Sequence, residues 1–541
     1  MAVELPIVAA ILIGGAAIAK IAEQYKFPYP IPLILAGILL AQWIPGEELL
    51  AGIGIDFIAQ LTLATVLFYA GLNMNIRELR TSIKSVLMLA TLGVFLTALI
   101  AGFTIYFLVG IGIFTAMLIG AILSPTDPAA LFSVLESGGV KVKRKIFSIL
   151  EGEAVFNDAT AVILVITLFL PFVVPSEEVA LYIVLLQFLA SMGLGVVIGF
   201  AVAYIMGVIL LSPVGETNVS VLTATTPILA YGLGELFAGA GIHPGALAAV
   251  FAGIFMANTR RIGLNPLPQK SMRGVMKNVS FAFEIVIFIL LGLTLNTEYM
   301  MTHQNTTLAG MVIAALVIFV ARPAAVFLVT SPDRSMNWKD RFFVSWAGVK
   351  GVASAALAAI AVAVIIVAPE NMTLGFFPDV LAEEINAIVF IVLMFSLIVQ
   401  GITTPFLASR LDLVEEKDAA KAITAQRDAA RHTLLQLVDQ YTEGKVESDL
   451  YTRLKAELEE EIFTLEDELR VVISERRAQL RELEVREMLY KSKLNYFQAL
   501  YEKGDIPNSA YEDRKTEIEL ELSEIESMKR FWRTGKESHS G

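Results

Sequence analysis

Leu150-Glu151-Gly152-Glu153-Ala154-Val155-Phe156-Asn157-Asp158-Ala159-Thr160 opens an apolar run that continues through Ala161-Val162-Ile163-Leu164-Val165-Ile166. Two carboxylates and an amide, Glu153, Asn157 and Asp158, therefore enter a segment that belongs in lipid. A charge at the bilayer centre costs about 3 kcal/mol or more, so such a group faces a partner or a wet cavity and has a task there. The rest of the chain is read as what surrounds that group.

Composition sets the class. Of 541 residues, 56% are hydrophobic and 17% charged, against about 45–50% and about 25% in a soluble domain. The chain reads as an all-α polytopic membrane protein. It has no cysteine, which excludes disulfides and thiolate metal sites. His243, His303, His432 and His539 are scattered and form no ligand spacing. The net charge of -12 says little about the membrane part. Leu5 to Ala22 lacks a basic leader and reads as a retained first span. No GxxxxGK[ST] phosphate loop is present, and nothing points to a cofactor, an enzyme or a nucleic-acid partner. Energy for any transport then comes from an ion gradient.

Apolar runs long enough to span recur about thirteen times before residue 410. They centre on Ile13, Leu35, Leu63, Leu96, Leu123, Ile163, Met192, Pro227, Val250, Ile287, Ile318, Ala356 and Met394. Alternate loops carry the basic residues: Lys20 and Lys26; Arg77, Arg80 and Lys84; Lys141 to Lys145; Arg260 to Lys277; Arg334 to Arg341. The others, such as Pro45–Gly54 and Pro369–Glu384, carry none. The expected orientation is an outside N-terminus and a cytoplasmic C-terminal tail, in the cell membrane. Arg77, Glu78 and Arg80 read as a solvated loop.

A repeat lies inside this region. Ala36-Gly37-Ile38 in span 2 matches Ala252-Gly253-Ile254 in span 9, and Ala70-Gly71-Leu72 in span 3 matches Leu291-Gly292-Leu293 in span 10. Both pairs are seven spans apart, and an odd offset gives the halves opposite topology. The expected fold pairs spans 1–6 with spans 8–13. The same offset relates Ser124-Pro125-Thr126-Asp127-Pro128 in span 5 to Ser345-Trp346-Ala347-Gly348-Val349-Lys350-Gly351 in span 12. Each sets helix-weakening residues and one charge in mid-span. Two broken, crossing helices are expected there, which is the usual pointer to a transport site.

After residue 410 the composition turns charged, so the expected domains are a membrane transporter domain, 1–410, and a cytoplasmic helical tail, 411–541. Tyr441-Thr442-Glu443-Gly444-Lys445-Val446, with Tyr451, Lys455 and Glu457, is repeated as Tyr501-Glu502-Lys503-Gly504-Asp505-Ile506, with Tyr511, Lys515 and Glu517. The glycines suit turns, and Ser448 and Asn508 suit helix starts. Two hairpins, or long coiled-coil-like helices with glycine turns, are expected, serving assembly or regulation through an unknown ligand or partner.

Asp158 is the first candidate to bind an ion. A buried carboxylate can hold a proton or a monovalent cation, and the two compete. Asp127 sits between Pro125 and Pro128, where a half-helix offers unpaired amides, and serves as ion contact or scaffold. The Thr126 carbonyl and hydroxyl are candidate cation ligands at the same break. Glu153 shares a helical face with Asn157 and is paired with Arg322, leaving Lys350 to balance the carbonyl ends of the broken helices. The exchanged pairing, Lys350 with Glu153, stays open. Glu284 is expected to cap or snorkel at the interface.

Glu153-x-x-x-Asn157-Asp158 resembles the Asn-Asp signature of NhaP-type sodium/proton antiporters, which are similar to the eukaryotic sodium/hydrogen exchangers. Ser124 to Pro128, Phe68-Tyr69-Ala70-Gly71-Leu72, Arg322-Pro323 and Trp346 to Gly351 carry the same resemblance, in family order. It implies a homodimer of thirteen-span subunits in which a six-helix core domain moves against a dimer domain. It implies that Asp158 binds sodium or proton in turn. Asp127 and the Thr126 backbone are implied as neighbours of the ion, Asn157 as their support, and Glu153–Arg322 as a structural ion pair. Asn157 in place of a second acid implies electroneutral exchange. Two positions depart from the family. Ala154 stands where a serine hydroxyl is frequent, which opens the choice among sodium, lithium and potassium. Lys350 stands where the family has arginine, and lysine cannot form the bidentate fork. Other classes to weigh are an ion channel, which needs a continuous polar path, and an ion-sensing membrane receptor.

Overall fold

The computed structural model describes residues 4–25, 27–43, 54–74, 76–127, 135, 142–174, 180–211, 216–259, 269–367, 378–411, 413, 419–502, 507 and most of 511–526. Two compact units emerge, Met1–Val414 and Glu415–Gly541. Among the described residues the regular elements are all helical. This follows from lipid as solvent, where a backbone must satisfy its own polar groups within each segment.

The first unit opens with α1 (Glu4–Gln24), α2 (Pro30–Leu40) and α3 (Ile55–Asn73). Then α4 (Ile76–Met88) passes through a π-helical turn at Leu89–Gly93 into α5 (Val94–Val109), which ends on left-handed Gly110. Next come α6 (Ile113–Ile122) and α7 (Arg144–Ile163), the latter prolonged through a second π-helical stretch, Leu164–Phe169. The chain continues with α8 (Leu181–Leu211), α9 (Glu216–Glu235), α10 (Gly245–Ala257) and α11 (Gln269–Leu293). A third π-helical turn, Val317–Ala321, joins α12 (Gln304–Leu316) to α13 (Arg322–Thr330). Last are α14 (Trp338–Trp346), α15 (Val352–Val367) and α16 (Pro378–Arg410). Eight helices among the described residues are long and apolar enough to cross a membrane, and four shorter apolar ones, α2, α6, α10 and α15, accompany them.

One expectation changes here. Arg77, Glu78 and Arg80 lie in the first turns of α4, not in a loop. The reason is the apolar face that Leu79 and Val86 bury. The compact unit runs to Val414. Leu411 and Leu413 are buried, and the Leu413 carbonyl accepts the Lys143 amide at 2.8 Å.

Glycines set the closest helix crossings. A Cβ on Gly37 of α2 would lie 3.0 Å from the Gly292 Cα of α11, and one on Gly292 would lie 3.0 Å from the Gly37 Cα. A Cβ on Gly253 of α10 would lie 2.8 Å from the Leu72 amide of α3, and one on Gly71 would lie 3.1 Å from the Ile254 amide. Backbones touch at both crossings, which only small residues permit. The four glycines are those of the sequence repeat, and each pairs with the repeat-mate of the other's partner.

In the second unit, α17 (Ala419–Thr442) and α18 (Ser448–Glu502) meet at Gly444, whose φ of 71° is left-handed. Tyr441 stacks on Tyr451 with ring centroids 4.1 Å apart, and Arg431 pairs with Glu466 at 2.5 Å. At the far end of α18, Tyr501 stacks on Tyr511 at 4.8 Å, and Lys491 lies in electrostatic reach of Glu526. Each member of the second set follows its counterpart by the same sixty positions (501 − 441, 511 − 451, 491 − 431, 526 − 466). Helix α18 is thus one arm of each contact set. Gly504 and Asn508 lie outside the described residues.

Candidate ion site at the crossed helix breaks

Helix α6 stops at Ile122, and Ser124 to Asp127 run on without helical form. Pro125 accounts for this, because the residue before a proline is driven from the helical region. Pro128, and the half-helix expected after it, lie outside the described residues. The second break runs from Ala347 to Gly351, between α14 and α15. Small residues are required in it. A Cβ on Gly351 would stand 2.6 Å from the Asp127 Cγ, and one on Gly348 would stand 2.7 Å from the Arg322 Nε. The breaks therefore touch through backbone, and the Asp127 amide donates to the Val349 carbonyl at 2.7 Å.

Helix α7 passes this crossing. Asn157 is fully buried, and its Nδ2 donates to the Thr126 hydroxyl at 2.8 Å and reaches the Thr126 carbonyl at 3.5 Å. The hydroxyl oxygen expected as a cation ligand is thus engaged by Asn157. Asp158 is 7% exposed, and its Oδ1 has no protein partner; Asn157 Oδ1 and Ser354 Oγ are likewise buried without one. Asp127 is half-buried and lies in electrostatic reach of Asp158. A buried carboxylate oxygen lacking a donor, such as Asp158 Oδ1, is what a small hard cation, or a proton, can satisfy.

One turn before Asn157, Glu153 Oε1 meets Arg322 Nη2 at 2.6 Å, off the angle of a hydrogen bond, with both side chains almost fully buried. Arg322 is the first residue after the Val317–Ala321 π-helical turn. Lys350, 1% exposed, donates its ammonium to the Pro125 carbonyl at 3.2 Å and the Ser124 carbonyl at 3.3 Å. Of the two pairings left open, Arg322 takes Glu153, and Lys350 caps the carbonyls freed by the first break. Arg322, Glu153 and Asp158 all act electrostatically on Lys350.

Glu284 is the acid expected at the interface. It is half-buried in α11, accepts the Tyr29 hydroxyl at 2.5 Å, and lies in electrostatic reach of Asp127. The sequence shows no link between positions 29 and 284, which only the α2–α11 crossing brings together. Ser396 and Gln400 of α16 reach the second break, where Ser396 Oγ accepts the Lys350 amide and Gln400 Nε2 donates to the Trp346 carbonyl, and the sequence reading passes over both. Their signal was two polar residues one turn apart in an apolar span.

Below the crossing, outside the spans, Asp333 accepts from Ser85 and Ser335, and Lys145 donates to Ser335. Burial pushes the Asp333 carboxyl up, but the bonds from Ser335 and Ser85 and the Lys145 ammonium outweigh it and hold it below the ordinary range.

Residues 8–410 match the family described as sodium/hydrogen exchanger, transmembrane. The K(+)/H(+) antiporter NhaP of Alkalimonas amylolytica is 31% identical over 336 residues, 60% of this chain and 55% of its own length. The Na(+)/H(+) antiporter ApNhaP of Aphanothece halophytica is 26% identical over 447 residues, 80% of this chain and 79% of its own. The structure of the sodium proton antiporter MjNhaP1 from Methanocaldococcus jannaschii superposes with a TM-score of 0.66 at 24% identity, covering 74% of this chain and 98% of that one.

Proposed function

The chain belongs to the sodium/hydrogen exchanger family, and from that premise we propose that it is a secondary active antiporter exchanging a monovalent cation for a proton at Asp158. The observation that carries this reading is the Asp158 carboxylate, buried yet holding an unpartnered oxygen, beside Asn157 clamped to one of two crossed helix breaks. Cation and proton compete for that oxygen, and alternating access of an elevator type exposes it to each side. Asp127, Thr126 and Asn157 form the rest of the ion's surroundings. Glu153, Arg322 and Lys350 neutralise the breaks without touching the cargo. Sodium is the proposed cation and potassium the alternative, since the similar proteins named above include antiporters of both kinds. Asn157 in place of a second acid before Asp158 supports one-for-one, electroneutral exchange.

The reciprocal glycine crossings support an inverted repeat. So do the π-helical turns at Leu89–Gly93 and Val317–Ala321, which occupy matching spans of the two halves. Thirteen spans, an outside N-terminus, a cytoplasmic tail and a homodimer in the cell membrane complete the proposal. The test is proton movement on addition of sodium, lithium or potassium to proteoliposomes. Exchange is expected in the wild type and none in Asp158→Asn; full exchange by that variant rejects the site. Strong dependence on an imposed membrane potential rejects one-for-one exchange.

A further inference from the structure

In an unbroken helix the Lys350 amide would donate to the Trp346 carbonyl, four residues earlier. The second break parts these groups, and α16 satisfies both. The Lys350 amide donates to Ser396 Oγ at 2.9 Å. That hydroxyl donates to Gln400 Oε1 at 2.5 Å, and Gln400 Nε2 donates to the Trp346 carbonyl at 2.8 Å. Two side chains, each fully buried, thus splice the one lost helical bond. Orphaned backbone groups at such depth would cost about 1–3 kcal/mol each. Unspliced, they would regain their bond by rewinding the break. The first break is held in a related way by Asn157 on Thr126, but from α7, which also carries the acid.

The geometry points to Ser396 and Gln400 as positioning residues for ion exchange. They keep the second break open and so aim the Lys350 ammonium at the Ser124 and Pro125 carbonyls, within electrostatic reach of Asp158. The charged groups around that ammonium are Arg322, Glu153 and Asp158, and those facing Asp158 are Asp127, Lys350 and Glu153. This inference rests on the exchange reading above, because its consequence is felt at Asp158.

The experiment compares wild type, Asp158→Asn, Ser396→Ala, Gln400→Met and Ser396→Thr as full chains in proteoliposomes, with the pH profile of cation-driven proton movement as the readout. With the Lys350 ammonium no longer aimed at the first break, Ser396→Ala and Gln400→Met are expected to cut the rate about tenfold, the cost of orphaning one buried backbone group, and to move the pH profile. Ser396→Thr keeps the hydroxyl and keeps the wild-type profile. Gln400→Met is nearly isosteric and carries the test if Ser396→Ala does not fold. Unmoved profiles in both disrupting variants, beside an inactive Asp158→Asn, overturn the splice and leave the exchange reading intact. Absence of exchange in the wild type overturns both.

Discussion

Glu153→Gln isolates what the buried ion pair contributes. At 2.6 Å and an effective dielectric of about 20, the Coulomb attraction is about 6 kcal/mol. Much of it is offset by taking both charges out of water, so the pair itself contributes little net stability. Removing one partner is another matter. The substitution leaves Arg322 at 1% exposure, in electrostatic reach of the Lys350 ammonium, without the carboxylate it meets. The expected cost is about 3–5 kcal/mol. Replacing both partners by apolar residues of similar size, Glu153→Leu with Arg322→Met, removes the charges together and is expected to recover most of that loss. The assay is unfolding followed by tryptophan fluorescence, because three of the four tryptophans, Trp43, Trp338 and Trp346, lie in the first unit. A single substitution costing under about 1 kcal/mol, or a double variant no better than the sum of the singles, would refute the pairing.

Other outcomes follow from the same geometry. Gly292→Ala sets a methyl against the Ile34 carbonyl and Gly37 Cα of α2 and should destabilise by about 1–3 kcal/mol in the same assay; a neutral result would mean the helices do not meet through backbone there. The Asp333 carboxyl is held below its ordinary range, so its bonds stabilise the fold above the unfolded-state value and fade as pH falls through the folded one. Ser85→Ala should therefore cost stability at neutral pH and nothing in strong acid, and an equal loss at both would contradict the direction. Truncation after Val414, placed there because Leu413 is bonded to Lys143, should shift the pH profile of transport without ending it. An unchanged profile would leave the tail with assembly alone.

Much of this was legible in one dimension because lipid restricts the vocabulary. Apolar length marks the eight helices, among the described residues, that can cross a membrane. Pro125, Gly348 and Gly351 mark the breaks because a proline or a missing Cβ leaves a local signature. Charges in oil demand partners, which favours Arg322 for Glu153 with Lys350 as the open alternative, and the 2.6 Å contact decides between them. What stayed hidden depends on three-dimensional neighbours. Tyr29 and Glu284 meet only at a helix crossing, and neither position announces the other. Ser396 and Gln400 look like ordinary polar tolerance in an apolar helix until their partners are seen to be backbone groups of a different span. Arg77 and Arg80 read as loop because charge outweighed the apolar face that Leu79 and Val86 bury. The tail's sixty-residue spacing was visible as matching letters, but the tyrosine stacks that it serves were not.

The most direct test is the concentration of sodium that half-saturates exchange, followed as a function of pH in proteoliposomes. If one carboxylate serves both passengers, that concentration rises about tenfold for each unit of acidification below the carboxylate's own titration, while the limiting rate stays constant. A half-saturating concentration that ignores pH, or a limiting rate that falls with acidification while the half-saturating value holds, would mean that sodium and proton occupy different places, and Asp158 would lose its role.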